Sequence, residues 1–135
     1  MKDAMDMVID VRGLINPEEV TSMVDKIHSN VAPDGATGTY IVVNSINITN
    51  TQDQIGSGNI NIHVPSIGAA GKTGPDQAKL YSIGKVVTEF VSSQYRDTFR
   101  TIVTDGAKIF RDADGTYFLN IRYKYYSLQG DFKDI

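Results

Sequence analysis

The regular alternation of apolar and polar positions is clearest over residues 59–64, where Ile60, Ile62 and Val64 interleave with Asn59, Asn61 and His63. A period of two predicts a strand with its Ile and Val side on a core and its Asn and His side facing outward. Residues 39–49 are rich in Tyr, Ile, Val and Thr and predict a second strand, with Tyr40, Val42, Ile46 and Ile48 on one face and Asn44 interrupting it. Residues 116–128 alternate Tyr117, Leu119, Ile121, Tyr123 and Tyr125 with Phe118, Asn120, Arg122, Lys124 and Tyr126. Strand character also marks residues 98–103 and 107–111, and the turn residues Asp112, Ala113, Asp114 and Gly115 join these to the final strand as a hairpin.

The helical period occurs elsewhere. Leu80, Ile83, Val87, Phe90 and Val91 recur at three- and four-residue steps, which predicts a long helix from Gly74, Pro75 and Asp76 to about Tyr95 with one apolar stripe. Thr73 and Asp76 have capping-box spacing at its start. Residues 3–14 fit both periods, because Met5, Met7, Ile9 and Val11 alternate while Met5, Val8 or Ile9, and Arg12 are spaced for a short helix; the helix is preferred. Asn16 as cap, Pro17 at the first helical position and Glu19 at the third predict another short helix to about Lys26. The element order is then α-β-β-α-β-β, an α+β fold in which an antiparallel sheet has one long helix packed on one face.

Residues 1–135 suffice for one domain, with an N-terminal helical segment over 1–30 and a sheet-plus-helix core over 39–128. Residues 30–38, 50–58 and 66–74 are polar or Gly-rich and read as surface loops. The chain has a formal charge of −3, so it presents no overall basic field for nucleic acid or anionic lipid. With no cysteine it has neither a disulfide framework nor a thiolate site, which fits a reducing, cytosolic setting. Asp3, Asp6 and Asp10 interrupt the start of the chain where a secretion signal needs apolar residues, and no apolar run is long enough for a membrane span.

Candidate chemistry changes this picture little. Gly68, Ala69, Ala70, Gly71, Lys72 and Thr73 end like a phosphate-binding loop, but Ser66 stands where the first Gly belongs and Gly74-Pro75 delays the helix beyond Lys72. Asp112 and Asp114 before Gly115 resemble the start of a calcium loop, yet Ile121 occupies the place of its bidentate Glu. His28 and His63 have no metal-clamp spacing; His28 is expected near the end of a short helix and His63 on an exposed strand face. Gly56-Ser57-Gly58 lacks the flanks of a nucleophile elbow. The expectation is no enzyme, no cofactor and no metal.

Tyr40, Ile41, Val42, Val43 and Asn44, then residues 58–65 (Gly-Asn-Ile-Asn-Ile-His-Val-Pro), then Gly74, Pro75, Asp76, Leu80 and Ile83, and finally residues 115–121 resemble tail completion or tail terminator proteins of tailed bacteriophages. The likeness covers roughly residues 39–128 as a pattern of strands and spacing, and residues 1–30 lie outside it. It implies a virion or prophage component, assembled in the bacterial host cytoplasm, that forms a ring, typically a hexamer, at the head-proximal end of the tail. The implied partners are tail-tube and head–tail connector proteins. Asn59, Asn61, His63, Ile67, Lys72, Arg122, Lys124 and Tyr126 are the candidate protein-contact residues. The competing reading is a small single-stranded nucleic-acid-binding module using Arg122, Lys124 and Tyr126, with Lys108 and Arg111 across the hairpin; nucleotide binding at Lys72 and an unrecognised hydrolase stand behind it.

Overall fold

The computed structural model describes residues 1–49, 54–68, 73–113 and 115–127. Among the described residues three helices and six strands follow in the order α1 (Ala4–Leu14), α2 (Glu18–Thr21), β1 (Lys26–Ser29), β2 (Tyr40–Ile48), β3 (Ile55–Val64), α3 (Gln77–Val91), β4 (Gln94–Tyr95), β5 (Phe99–Arg111) and β6 (Tyr117–Ser127). The strands form one curled sheet in the order β1-β2-β3-β6-β5-β4. β1 runs parallel to β2 and the other pairs are antiparallel.

This corrects the expected architecture. The sheet is mixed and six-stranded, not purely antiparallel, and α3 shares the covering layer with α1 instead of covering it alone. The error arose mainly at residues 26–29. Lys26-Ile27-His28-Ser29 is too short to show a period, yet Ile27 is buried among the core residues and pairs in register with Ile41. The N-terminal helix expected to reach Lys26 is the four-residue α2, with Pro17 at its cap position and no side-chain cap bond. At the other end, α3 stops at Val91, Ser93 takes φ +53, and Gln94 and Tyr95 pair with β5.

Both helices bury the stripe that amphipathic spacing requires. On α1 the stripe is Met7, Val8, Val11 and Leu14, so Met5 and Ile9, on the face favoured by sequence, are exposed. Asp3 and Asp6 form a reciprocal capping box that starts the helix. On α3 it is Leu80, Ile83, Gly84, Val87 and Val91, and the start is capped by Asp76, whose side chain accepts from the Lys79 N–H, instead of by Thr73.

The sheet gives Ile41, Val43, Ile60, Ile62, Val64, Leu119, Ile121, Tyr123 and Tyr125 to the same core. The β3 and β6 alternation matches the sequence reading, but β2 is reversed: Ile41 and Val43 face the helices, while Tyr40, Val42 and Asn44 share the parity of the opposite face. A bulge between Ser45 and Asn47 then turns Ile46 outward and brings Ile48 back against the core. A further irregularity between Val103 and Lys108 makes one bulged strand of the two segments expected over 98–111.

Two glycines are fixed by close approach. Gly38, at φ +80, leaves room for the Asp25 carboxylate, which accepts from the Thr39 N–H and closes the connection that carries β1 into parallel β2. A Cβ at Gly58 would collide with the Asn44 carbonyl and the Tyr123 hydroxyl, the two groups that make a 2.8 Å hydrogen bond across β3. Turn geometry over 112–116 agrees with the expected hairpin, with Gly115 at φ +87 and Asp112 N–H donating to the Thr116 carbonyl; Asp114 lies outside the described residues.

Candidate interaction surface: the open face of the sheet

Helices α1 and α3 cover one face of the sheet, and among the described residues no helix covers the other. Strand alternation and cross-strand register place the open-face side chains in rows. The first row is Tyr40, His63, Phe118 and Phe110, in register across β2, β3, β6 and β5. Their rings stack in sequence: Tyr40 on His63 at 4.4 Å between centroids, His63 on Phe118 at 5.2 Å, and Phe118 on Phe110 at 5.8 Å. His28 meets Tyr40 edge-on at 5.7 Å from β1, which extends the row to a fifth strand. Cross-strand aromatic pairs of this type contribute about 0.2–1 kcal/mol each, so the row stiffens the sheet while leaving its upper edges open.

The second layer is made of amides. Asn120 Nδ2 donates to Asn59 Oδ1 at 3.0 Å and to Asn61 Oδ1 at 2.7 Å, and Asn44 Oδ1 accepts from the Asn59 N–H at 3.0 Å. These bonds lock four side chains of three strands in position. Beyond them stand Arg122 and Lys124, both exposed, and then Tyr126 with the Arg100 guanidinium 4.2 Å from its ring centroid. Arg100 Nη1 also donates to the Tyr95 hydroxyl.

Of the residues singled out by sequence, Asn59, Asn61, His63, Arg122, Lys124 and Tyr126 therefore come together on this face. Ile67 does not: it is exposed in the loop after β3, bridged to Gly74. Lys72 lies outside the described residues, as do Ala69, Ala70 and Gly71 of the phosphate-loop-like segment and residues 50–53 of the expected polar loop. Residues 55–58 of that loop belong to β3. Lys108 lies on the open face opposite Asn120, whereas Arg111 pairs with Tyr117 and has the other parity.

Sequence reasoning missed the aromatic row, because Tyr40, His63, Phe118 and Phe110 lie on four strands whose mutual register no linear pattern states. It also missed the Lys2, Asp10 and Tyr125 cluster on the covered side. Asp10 Oδ2 accepts from Lys2 Nζ at 2.8 Å and from the Tyr125 hydroxyl at 2.5 Å, and buried Gln54 holds the Lys2 backbone in both directions. Burial and the adjacent Asp10 push the Tyr125 hydroxyl well above the ordinary phenol range, so it remains a donor. These groups satisfy one another and anchor the start of α1 to β6.

His28 sits on β1, not at a helix end, and its pKa is lowered by desolvation and by the positive charges of Lys26 and Arg12. A cleft of about 280 Å³ beside the aromatic row is lined by Gly38, Tyr40, His63, Pro65, Ser66 and Thr116 among others. Among the described residues no group of three His, Cys, Asp or Glu could hold a metal ion, and no helix is long and apolar enough to cross a membrane. No protein-family model and no curated protein matches the chain.

Proposed function

We propose that the chain is a structural assembly protein of a phage or prophage, a ring subunit that sits at the head-proximal end of the tail and joins or terminates the tail tube. The carrying observation is the open sheet face, where stacked rings and bonded amides form an ordered surface that no helix among the described residues covers. Rigid, preformed surfaces suit association because little side-chain entropy remains to be lost on docking. Tyr, Phe and Arg, the residues enriched at protein interfaces, are all present on it. On this reading the protein has no catalytic residues and no cofactor, its partners are its own copies together with tail-tube and connector proteins, and it ends in the virion after assembly in the host cytoplasm.

The test is the molar mass from light scattering on a sizing column, with the chain alone and with tail-tube protein added. A closed oligomer, or one that forms when the tube partner is present, supports the reading. A chain that stays monomeric and ignores both tube and connector refutes it.

Single-stranded nucleic acid remains the second reading, favoured by the basic side chains of the open face. Its weakness is geometric. A base stacks on an exposed ring face, and the Tyr126 ring of that reading is half-buried and has the Arg100 guanidinium 4.2 Å from its centroid.

A further inference from the structure

The chain is acidic overall, yet its charge is divided between the two sides of the sheet. Strand alternation puts Lys26, Arg100, Lys108, Arg122 and Lys124 on the open face, against one carboxylate, Asp105, which pairs with Arg122 in register. That is a formal surplus of four positive charges on a chain of net −3. Residues 1–25, which form α1, α2 and their flanks on the covered side, hold Asp3, Asp6, Asp10, Glu18, Glu19 and Asp25 against Lys2 and Arg12, a formal surplus of four negative charges. Apolar residues lie within both patches: Met5 and Ile9 are exposed on α1, as are Ile55 and Phe110 on the open face.

We infer that copies of this chain associate head to tail, the acidic α1–α2 layer of one seated on the basic open sheet face of the next. This rests on the ring reading above and names its interface. Three observations lead to it. The two patches have opposite sign and equal formal charge, the condition for steering and for register between partners. They lie on opposite sides of one sheet, so a copy cannot use both against the same neighbour; the contact is heterologous, the kind that closes into rings when the rotation permits. Strands β2, β3, β6 and β5 span about 19 by 30 Å from ordinary strand spacing and rise, and four-residue β1 adds a shorter strip, which approaches the ~800 Å² per partner of a stable interface.

The alternative join, edge to edge, is disfavoured by charge. The outer edge of β5 from Ile102 to Arg111 has no partner strand among the described residues, and a groove beside it is lined by Tyr81, Ala107, Ile109 and Phe110. Its charged side chains are Asp105, Lys108 and Arg111, a net positive edge, while the free β1 edge at the far end of the sheet begins with Lys26. Extending the sheet from copy to copy would set like charges together.

The experiment uses two double variants, R122E/K124E on the open face and E18K/E19K on α2, each checked for folding by circular dichroism and thermal midpoint. Sedimentation velocity is run at about 0.05 M and about 1 M salt, where screening lengths differ several-fold. The expected result is that the wild type associates at low salt and each variant alone associates at least about tenfold more weakly. An equimolar mixture of the two then associates again, because reversed and native patches are complementary in alternation. If both variants associate like the wild type, the interface is elsewhere and this inference falls while the ring reading stands. A wild type that is monomeric at low salt even with tail-tube protein removes both. Monomeric wild type that binds single-stranded oligonucleotide through Arg122 and Lys124 overturns the inference in favour of the nucleic-acid reading.

Discussion

The two faces of the sheet are built from the same strands but do different work. On the covered face Ile60, Ile62, Leu119 and Ile121 are fully buried under α1 and α3, so each side chain there adds to folding. Across the same backbone, Asn59, Asn61, His63, Phe118 and Asn120 are half-buried and bonded or stacked to one another. Such a face adds less to stability per residue, and its order is set by lateral contacts within the sheet. On the assembly reading, this second face, ordered without a covering helix, is the surface offered to another molecule.

Substitutions sharpen the contrast. Ile121→Ala, on the covered face, should lower stability by about 2–5 kcal/mol in urea denaturation, since it leaves a cavity at the centre of the core. Gly58→Ala should cost about 1–3 kcal/mol by the same measurement, because the added methyl meets the Asn44 carbonyl and the Tyr123 hydroxyl, and backbone cannot move aside as a side chain can. Tyr125→Phe removes one of the donors to Asp10 and should cost about 1–2 kcal/mol while Lys2 still pairs with the carboxylate. Phe110→Ala at the exposed end of the aromatic row should change stability by under about 1 kcal/mol, yet weaken self-association in sedimentation.

The smallest effect is a pH dependence. His28 has a lowered pKa in the fold, so the unfolded chain binds a proton first as pH falls; stability from this group is complete above the ordinary histidine value of 6.5 and declines as pH drops through the lower folded value. His28→Asn should flatten that part of the stability profile between neutral and mildly acidic pH. An unchanged slope would show that neither desolvation nor the positive charges of Lys26 and Arg12 lower the His28 pKa in the fold.

Legibility in the sequence followed the length and regularity of each element. β6 and α3 could be read because ten or more residues repeat one period, and β3 because six do over 59–64, although its first residues, 55–58, were read as loop; the buried sides match the reading at Ile60, Ile62, Leu80, Ile83, Leu119 and Ile121. β1 could not, since four residues with one buried side chain contain no period, and its parallel pairing depends on the distant Ile41. β2 misled because Ile41, Val42 and Val43 are all buried and the bulge at Ser45 and Asn47 shifts the parity, so counting alternate residues from Tyr40 chose the wrong face. α1 offered apolar residues on two sides, and its capping box and tertiary contacts decided between them. Of the open face, Asn59, Asn61, His63, Arg122, Lys124 and Tyr126 on β3 and β6 were legible from alternation alone. The partners that turn them into rows, Tyr40, Asn44, Lys26, Arg100 and Phe110, became visible only with strand order.

Hydroxyl-radical footprinting of the wild type, well above and well below its association midpoint, tests the central claim most directly. Assembly through the open face predicts that Tyr126, Phe118 and Phe110 lose reactivity as the protein associates, while exposed Tyr81 on α3 keeps its own. Loss at Tyr81 with Tyr126 and Phe118 unchanged would contradict it.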